Sequence, residues 1–263
     1  MANKQTERQA SASSDKLLML LECIAANRTP ARLQDLAEQS GMTQPTVLRY
    51  LRTLQNTGYV YQDEDTLRYA LTWKLCGLTE NLHSFIGLRN IAAPFVNELG
   101  NTLHLGVCLV VNRDHQCVYL DCIDNPRAAE PLQYIGRRAP LHVTGSGKLL
   151  LSAYTEAQID EFIALRGLEK YTEHTITTKG ALIRQLAEVR KQGFAYDNEE
   201  CEIGLRCVSY PLRCYTGEIY AAISVFGNAP EMTDTLLKEQ IQPRLKAAAE
   251  QISARLGYDQ KKE

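Results

Sequence analysis

No run of 18 apolar residues occurs in the chain, so no transmembrane helix is expected. The opening MANKQTERQASASSD lacks an apolar h-region, so no secretory signal is expected either; residues 1–14 read as a disordered tail on a cytoplasmic protein. None of the eight cysteines (23, 76, 108, 117, 122, 201, 207 and 214) forms a C-x-x-C pair. His104/Cys108 and His115/Cys117 lie in apolar, strand-like text and lack the paired ligand spacing of structural zinc. Core thiols and no metal are the expectation. Histidine is scarce, five in all, and the nearest to Cys207 are His142 and His174. A cysteine nucleophile needs a base beside it. The chain therefore reads as no enzyme, with no catalytic residues and no cofactor. The net charge of −2 also gives no global field for nucleic acid. Any such contact has to come from a local basic helix.

What is present is enough for two modest domains: 263 residues, 44% apolar and 23% charged. Residues 15–27, DKLLMLLECIAAN, place Leu17, Leu18, Leu21, Ile24 and Ala25 at helical spacing behind a possible Asp15 cap. Residues 33–40 form a second helix, closed by Gly41. Thr43 caps a third, TQPTVLRYLRTLQNTG, with Pro45 in the first turn and an apolar stripe of Val47, Leu48, Leu51 and Leu54. YVYQDEDTLRYAL then reads as a β-hairpin with an acidic turn. Three helices and a two-stranded wing make a winged helix-turn-helix over residues 15–76. Its third helix carries neither Asp nor Glu. Thr43, Gln44 and Thr46 stand at its tip, and Arg49 and Arg52 on the face away from the apolar stripe. Such residues pair with phosphates and base edges of double-stranded DNA. Arg68 on the wing adds a phosphate contact, while Asp63, Glu64 and Asp65 argue against deep insertion of the wing. One short helix reads few base pairs, so a dimer on a palindrome is expected.

Residues 77–100 have loosened helical patterning, with Gly87 and Pro94, and read as a linker helix. Residues 101–263 read as a mixed α+β domain. Hairpin strands span 103–111 and 116–123, with further strands at 132–135, 207–212 and 219–226. Helices span 145–154, 156–165, 179–192 and 234–256. Strands and helices do not alternate, which disfavours a doubly wound nucleotide fold. The stretch HVTGSGKLLLSAY imitates a phosphate loop but fails it: His142 stands where the first glycine belongs, and Leu149 where the Mg²⁺-binding hydroxyl belongs. Its glycines still open a helix whose free N–H groups favour a small anion. Lys148 on that helix has a solvated face as its ordinary place.

Three stretches carry a family resemblance: LQDLAEQSGMTQPTVLRYLRTLQNTGYV, YIGRRAPLHVTGSGKLLLSAY and GFAYDNEECEIGLRCVSYPL. Over about residues 15–258 the chain resembles the IclR family of bacterial transcriptional regulators, in character those of sugar-acid and carbohydrate catabolism. Gly193, Asp197, Glu200, Cys207, Val208, Ser209 and Leu212 follow the family signature, and Arg213-Cys214 departs from its usual close. The resemblance implies a GAF-like effector-binding domain, a homodimer or dimer of dimers, and repression as the common mode. It implies that a small carboxylate or sugar acid is held by Gly145 and Ser146, with Asp197, Cys207 and Ser224 as polar partners. Phe226 stands where relatives often have a serine on the same strand face as Ser224. The ring removes a hydroxyl and takes up volume, which points to a shorter or less polar ligand. An ionised Asp197 repels a carboxylate, so it is expected to meet ligand hydroxyls or to be protonated. A redox-responsive regulator that uses its cysteines is the alternative, with a Cys207-dependent enzyme behind it.

Overall fold

The computed structural model describes residues 2–79, 85–124 and 133–259. The chain divides into two compact units, 1–84 and 85–263.

The first unit contains α1 (Ala2–Ala26), α2 (Leu33–Ser40), α3 (Gln44–Asn56), the hairpin β1 (Val60–Gln62) and β2 (Tyr69–Leu71), and α4 (Lys74–Thr79). The predicted tail is corrected: α1 runs through it from Ala2. Residues 2–14 contain neither Gly nor Pro and are rich in helix formers, so nothing local stops the helix at Asp15. Gly41 ends α2 in the left-handed conformation at φ 64°. In α3 the buried set is Val47, Tyr50, Leu51 and Leu54, the i, i+3, i+4, i+7 pattern of one helix face. Tyr50 thus replaces Leu48, which is half-buried. The Tyr50 hydroxyl meets the Ser13 hydroxyl at 3.1 Å, so the apolar ring is buried and its polar tip is satisfied. The wing is tied to the body through Ala31: its N–H donates to Tyr69 O at 2.9 Å and its carbonyl accepts from Tyr69 N at 2.8 Å.

The second unit opens with α5 (Phe85–Leu103) and is built on a six-stranded antiparallel sheet. Its strands are β3 (Gly106–Arg113), β4 (Gln116–Ile123), β5 (Arg138–Pro140), β6 (Ala195–Asn198), β7 (Leu205–Arg213) and β8 (Ile219–Asn228), in the order β5-β4-β3-β8-β7-β6. Asp114 and His115 both take positive φ, 52° and 57°, which closes the β3–β4 hairpin with a two-residue turn. The predicted strand at 132–135 is absent at Gln133–Ile135, and Leu132 lies outside the described residues. The edge strands β5 and β6 were not predicted; they are three and four residues long and show no apolar run.

Alternation along the strands gives the sheet two buried faces. Val107, Leu109, Val208, Ile223 and Val225 pack with α5 and with the C-terminal helices α9 (Asp234–Leu236) and α10 (Gln242–Arg255). Cys108, Val110 and Phe226 face α6 (Gly145–Ser152), α7 (Glu156–Arg166) and α8 (Lys179–Gln192). The linker expectation is corrected accordingly. Residues 80–84 lie outside the described residues, and α5 is a core helix of the second unit because Leu88, Ala92, Val96 and Leu99 are buried against the sheet. The helix predicted over 234–256 has a π-helical stretch at Leu237–Ile241. Pro243 has no N–H for the carbonyl four residues back, and the ladder widens just before it.

Candidate functional site

In the first unit, α3 turns its outer face to solvent. Thr43, Gln44, Arg49 and Arg52 are exposed, and Thr46 is half-buried with its hydroxyl 2.9 Å from that of Thr43. The Arg49 guanidinium donates to the Tyr50 hydroxyl at 3.2 Å and lies 4.9 Å from the ring centroid, which orients it along the helix. Five of the six residues predicted for DNA therefore share the N-terminal and middle turns of one helix. Arg68 does not join them: it is half-buried, and its guanidinium donates to the Pro30 carbonyl at 3.4 Å. At the wing tip Asp63 accepts from the Thr66 amide at 2.8 Å and the Thr66 hydroxyl at 2.6 Å. These bonds hold the Asp63 carboxyl below the usual range.

In the second unit, the N-terminus of α6 points into the inner face of the sheet. The Thr144 hydroxyl caps it by accepting from Gly147 N at 3.0 Å. All eight residues of α6 are buried. Close packing demands its glycines. A Cβ on Gly145 would lie 2.7 Å from Ser209 Oγ, and one on Gly147 would lie 2.2 Å from the Leu141 carbonyl. The resemblance to a phosphate loop thus has a steric cause. Gly145 and Ser146 stand in the first turn of α6, where backbone N–H groups have no partner within the helix itself.

Three hydroxyls converge beside those amides. Ser146 Oγ bonds Ser224 Oγ and lies 3.3 Å from Ser209 Oγ, while Ser209 and Ser224 are 2.6 Å apart. Cys207 Sγ extends the cluster, 3.4 Å from Ser209 Oγ. Burial, and after it the nearby Asp197, push the Cys207 thiol up to about 12. That is a neutral thiol, the opposite of the activated thiolate a cysteine nucleophile requires. Phe226 closes one side, with its ring packed on Gly106 so tightly that a Cβ there would lie 2.3 Å away. Asp197 stands directly opposite Cys207 on β6 and is 3% exposed. Its Oδ1 accepts from Glu200 N at 2.9 Å and Cys201 N at 3.4 Å. Burial raises its carboxyl to about 7, against the pull of Lys148 and those amides.

Lys148 corrects the solvated expectation. It is 1% exposed, and its ammonium bonds Glu200 Oε1. With α6 buried along its length, the charge has no route to water and is met inside the fold. Glu200 Oε2 has no partner among the described residues. The structure therefore brings together Gly145, Ser146, Cys207, Ser224, Phe226 and Asp197. It adds Ser209, Cys108 and the Lys148–Glu200 pair, which the sequence-based site left out. Ser209 was legible in principle, two residues after Cys207 on the same strand face.

Residues 81–254 match the family model of the bacterial transcriptional regulator IclR C-terminal domain, and residues 13–64 the IclR helix-turn-helix domain. The chain belongs to the IclR family. It is 31% identical to the HTH-type transcriptional regulator KdgR of Escherichia coli over 98% of both chains. It is 32% identical to the acetate operon repressor of Salmonella typhimurium, over 89% of this chain and 86% of that one. The second unit is similar to a crystal structure of a double mutant of the PobR inducer-binding domain from Acinetobacter, in complex with 3-hydroxybenzoic acid. The TM-score is 0.59 at 27% identity, covering 62% of this chain and 96% of that one. As an IclR-family protein the chain is a transcriptional regulator, with an N-terminal DNA-binding domain and a C-terminal effector-binding domain. No helix among the described residues is long and apolar enough to cross a membrane.

Proposed function

We propose that this IclR-family regulator represses a catabolic operon and is controlled by a small hydroxylated carboxylate, a sugar acid or a hydroxy acid of similar size. The observation that carries the reading is the first turn of α6, Gly145 and Ser146, set beside the Ser146, Ser209 and Ser224 hydroxyls. The amides at the helix N-terminus take the carboxylate, and the serines take its hydroxyls. Asp197, held near neutrality, accepts or donates to a hydroxyl without committing a full negative charge to the pocket. Phe226 sets the length limit. The hydroxybenzoate bound by the PobR domain has the same two functional groups. On the DNA side, Gln44, Thr46, Arg49 and Arg52 read a half-site, with Thr43 at the phosphate edge. A homodimer, or a dimer of dimers, presents two such helices to a palindrome.

The test is a thermal-shift screen of the full chain against sugar acids and hydroxybenzoates, followed by operator footprinting with each hit. A true effector raises the melting temperature by mass action and loosens the footprint. Phe226→Ser is expected to broaden the set of acids that bind. If Ser224→Ala and Gly145→Ala bind every hit as tightly as the parent chain does, the pocket assignment is wrong. If no protected palindrome is found at low salt, the repressor reading is wrong.

A further inference from the structure

We propose that Cys108 and Cys122 form an oxidisable pair, a modification site at which a hydroperoxide makes an intrachain disulfide in the wall of the effector site. The two residues stand directly opposite one another on the antiparallel strands β3 and β4, so their side chains share a face. Opposed residues in such a ladder have Cα atoms about 4.5–5.5 Å apart, inside the range of roughly 4.4–6.8 Å that a disulfide spans. The Cys122 side chain is also the largest influence on the Cys108 thiol, ahead of burial, and raises it. The ladder shifts register between Leu109 and Val110, next to the pair, which gives it room to adjust. The other inner-face thiols have different company. Cys117 lies 3.3 Å from the Thr144 hydroxyl, and Cys207 bonds Ser209.

Exposure sets the order of events. Cys122 is half-buried and Cys108 buried, so the peroxide meets Cys122 first. Its sulfur attacks one peroxide oxygen and the O–O bond breaks, which leaves a sulfenic acid and one water. Cys108 sulfur then attacks Cys122 sulfur. The S–O bond breaks, and hydroxide departs with the Cys108 proton as a second water. Two electrons pass from the two thiols to one hydrogen peroxide. The Cys122 thiol, and after it burial, hold the Cys108 thiol well above its ordinary range, so the closing step is slow. Cys108 also lies directly opposite Ser224 on β8. Disulfide formation turns its sulfur toward Cys122 and changes the side chain paired with Ser224, so the oxidised chain has an altered effector site.

The test uses the full reduced chain, treated with graded hydrogen peroxide, denatured, alkylated and digested with trypsin and chymotrypsin. The second protease cuts at Tyr119 and so separates Cys117 from Cys122. The expected result is a peptide pair joined through Cys108 and Cys122, parted by dithiothreitol and absent in Cys122→Ser. A circular dichroism spectrum of that variant checks its fold. Recovery of both cysteines fully alkylated, at a dose that oxidises the exposed Cys76, overturns the proposal. So does a cross-link that joins either of them to a different cysteine.

Discussion

Asp197 is the residue whose ionisation the fold holds most finely. Its carboxyl is buried and raised to about 7, from an ordinary carboxylate value in the unfolded chain. Between about pH 4 and pH 7 the folded state keeps a proton that the unfolded state releases, so this group's contribution is full at low pH and fades as pH rises through that window. A tenfold change in proton affinity is worth about 1.4 kcal/mol. Asp197→Asn keeps an acceptor for the Glu200 amide and removes the titration. Urea midpoints measured across this window are expected to fall with pH less steeply in Asp197→Asn than in the parent chain. Lys148 poses a different problem, an ammonium buried against the Glu200 carboxylate. Lys148→Met strands the Glu200 carboxylate and is expected to cost about 3–5 kcal/mol by urea unfolding. Replacing Glu200 with Leu as well is expected to recover most of that loss. Gly106 and Phe226 are matched in shape. Gly106→Ala is expected to destabilise the parent chain by about 1–3 kcal/mol and a Phe226→Ala background by much less, which a double-mutant cycle reads directly.

Among the elements, α3 carries the clearest functional prediction. Arg52 is exposed on the outer face. If it holds a phosphate, Arg52→Ala weakens binding to all sequences alike and lowers the slope of log K against log salt by about one. Equal slopes for the two proteins would place Arg52 off the backbone. The elements also show what local pattern reveals. The spans of α2, α8 and β4 were predicted residue for residue, because each has a clear apolar period and the two helices end at Gly41 and Gly193 in the left-handed conformation. β5 and β6 were missed because pairing at a sheet edge, and not their own composition, makes them strands. The site divides along the same line. Ser146, Cys207 and Ser224 were legible through their family motif. The ring of Phe226 over Gly106 and the pairing of Lys148 with Glu200 join segments far apart in sequence, and no local period encodes them. Arg68 looked free on its strand, but the Pro30 carbonyl that takes its guanidinium is 38 residues away.

At the scale of the whole molecule, two units with separate cores share one chain. Calorimetry is expected to show two transitions, with an effector raising only the one that belongs to residues 85–263. A single transition lifted as a whole would show that the units unfold together. Within the second unit the sheet is a wall one residue thick. Ser224 faces the serine cluster, and its neighbours Ile223 and Val225 face α5 and α10. The helices of both layers therefore pack on the same strands, with no further layer between. Such a partition has little slack: the strands that carry Ser209 and Ser224 on one face are the ones to which α5, the helix next in the chain after the DNA-binding unit, is fitted on the other.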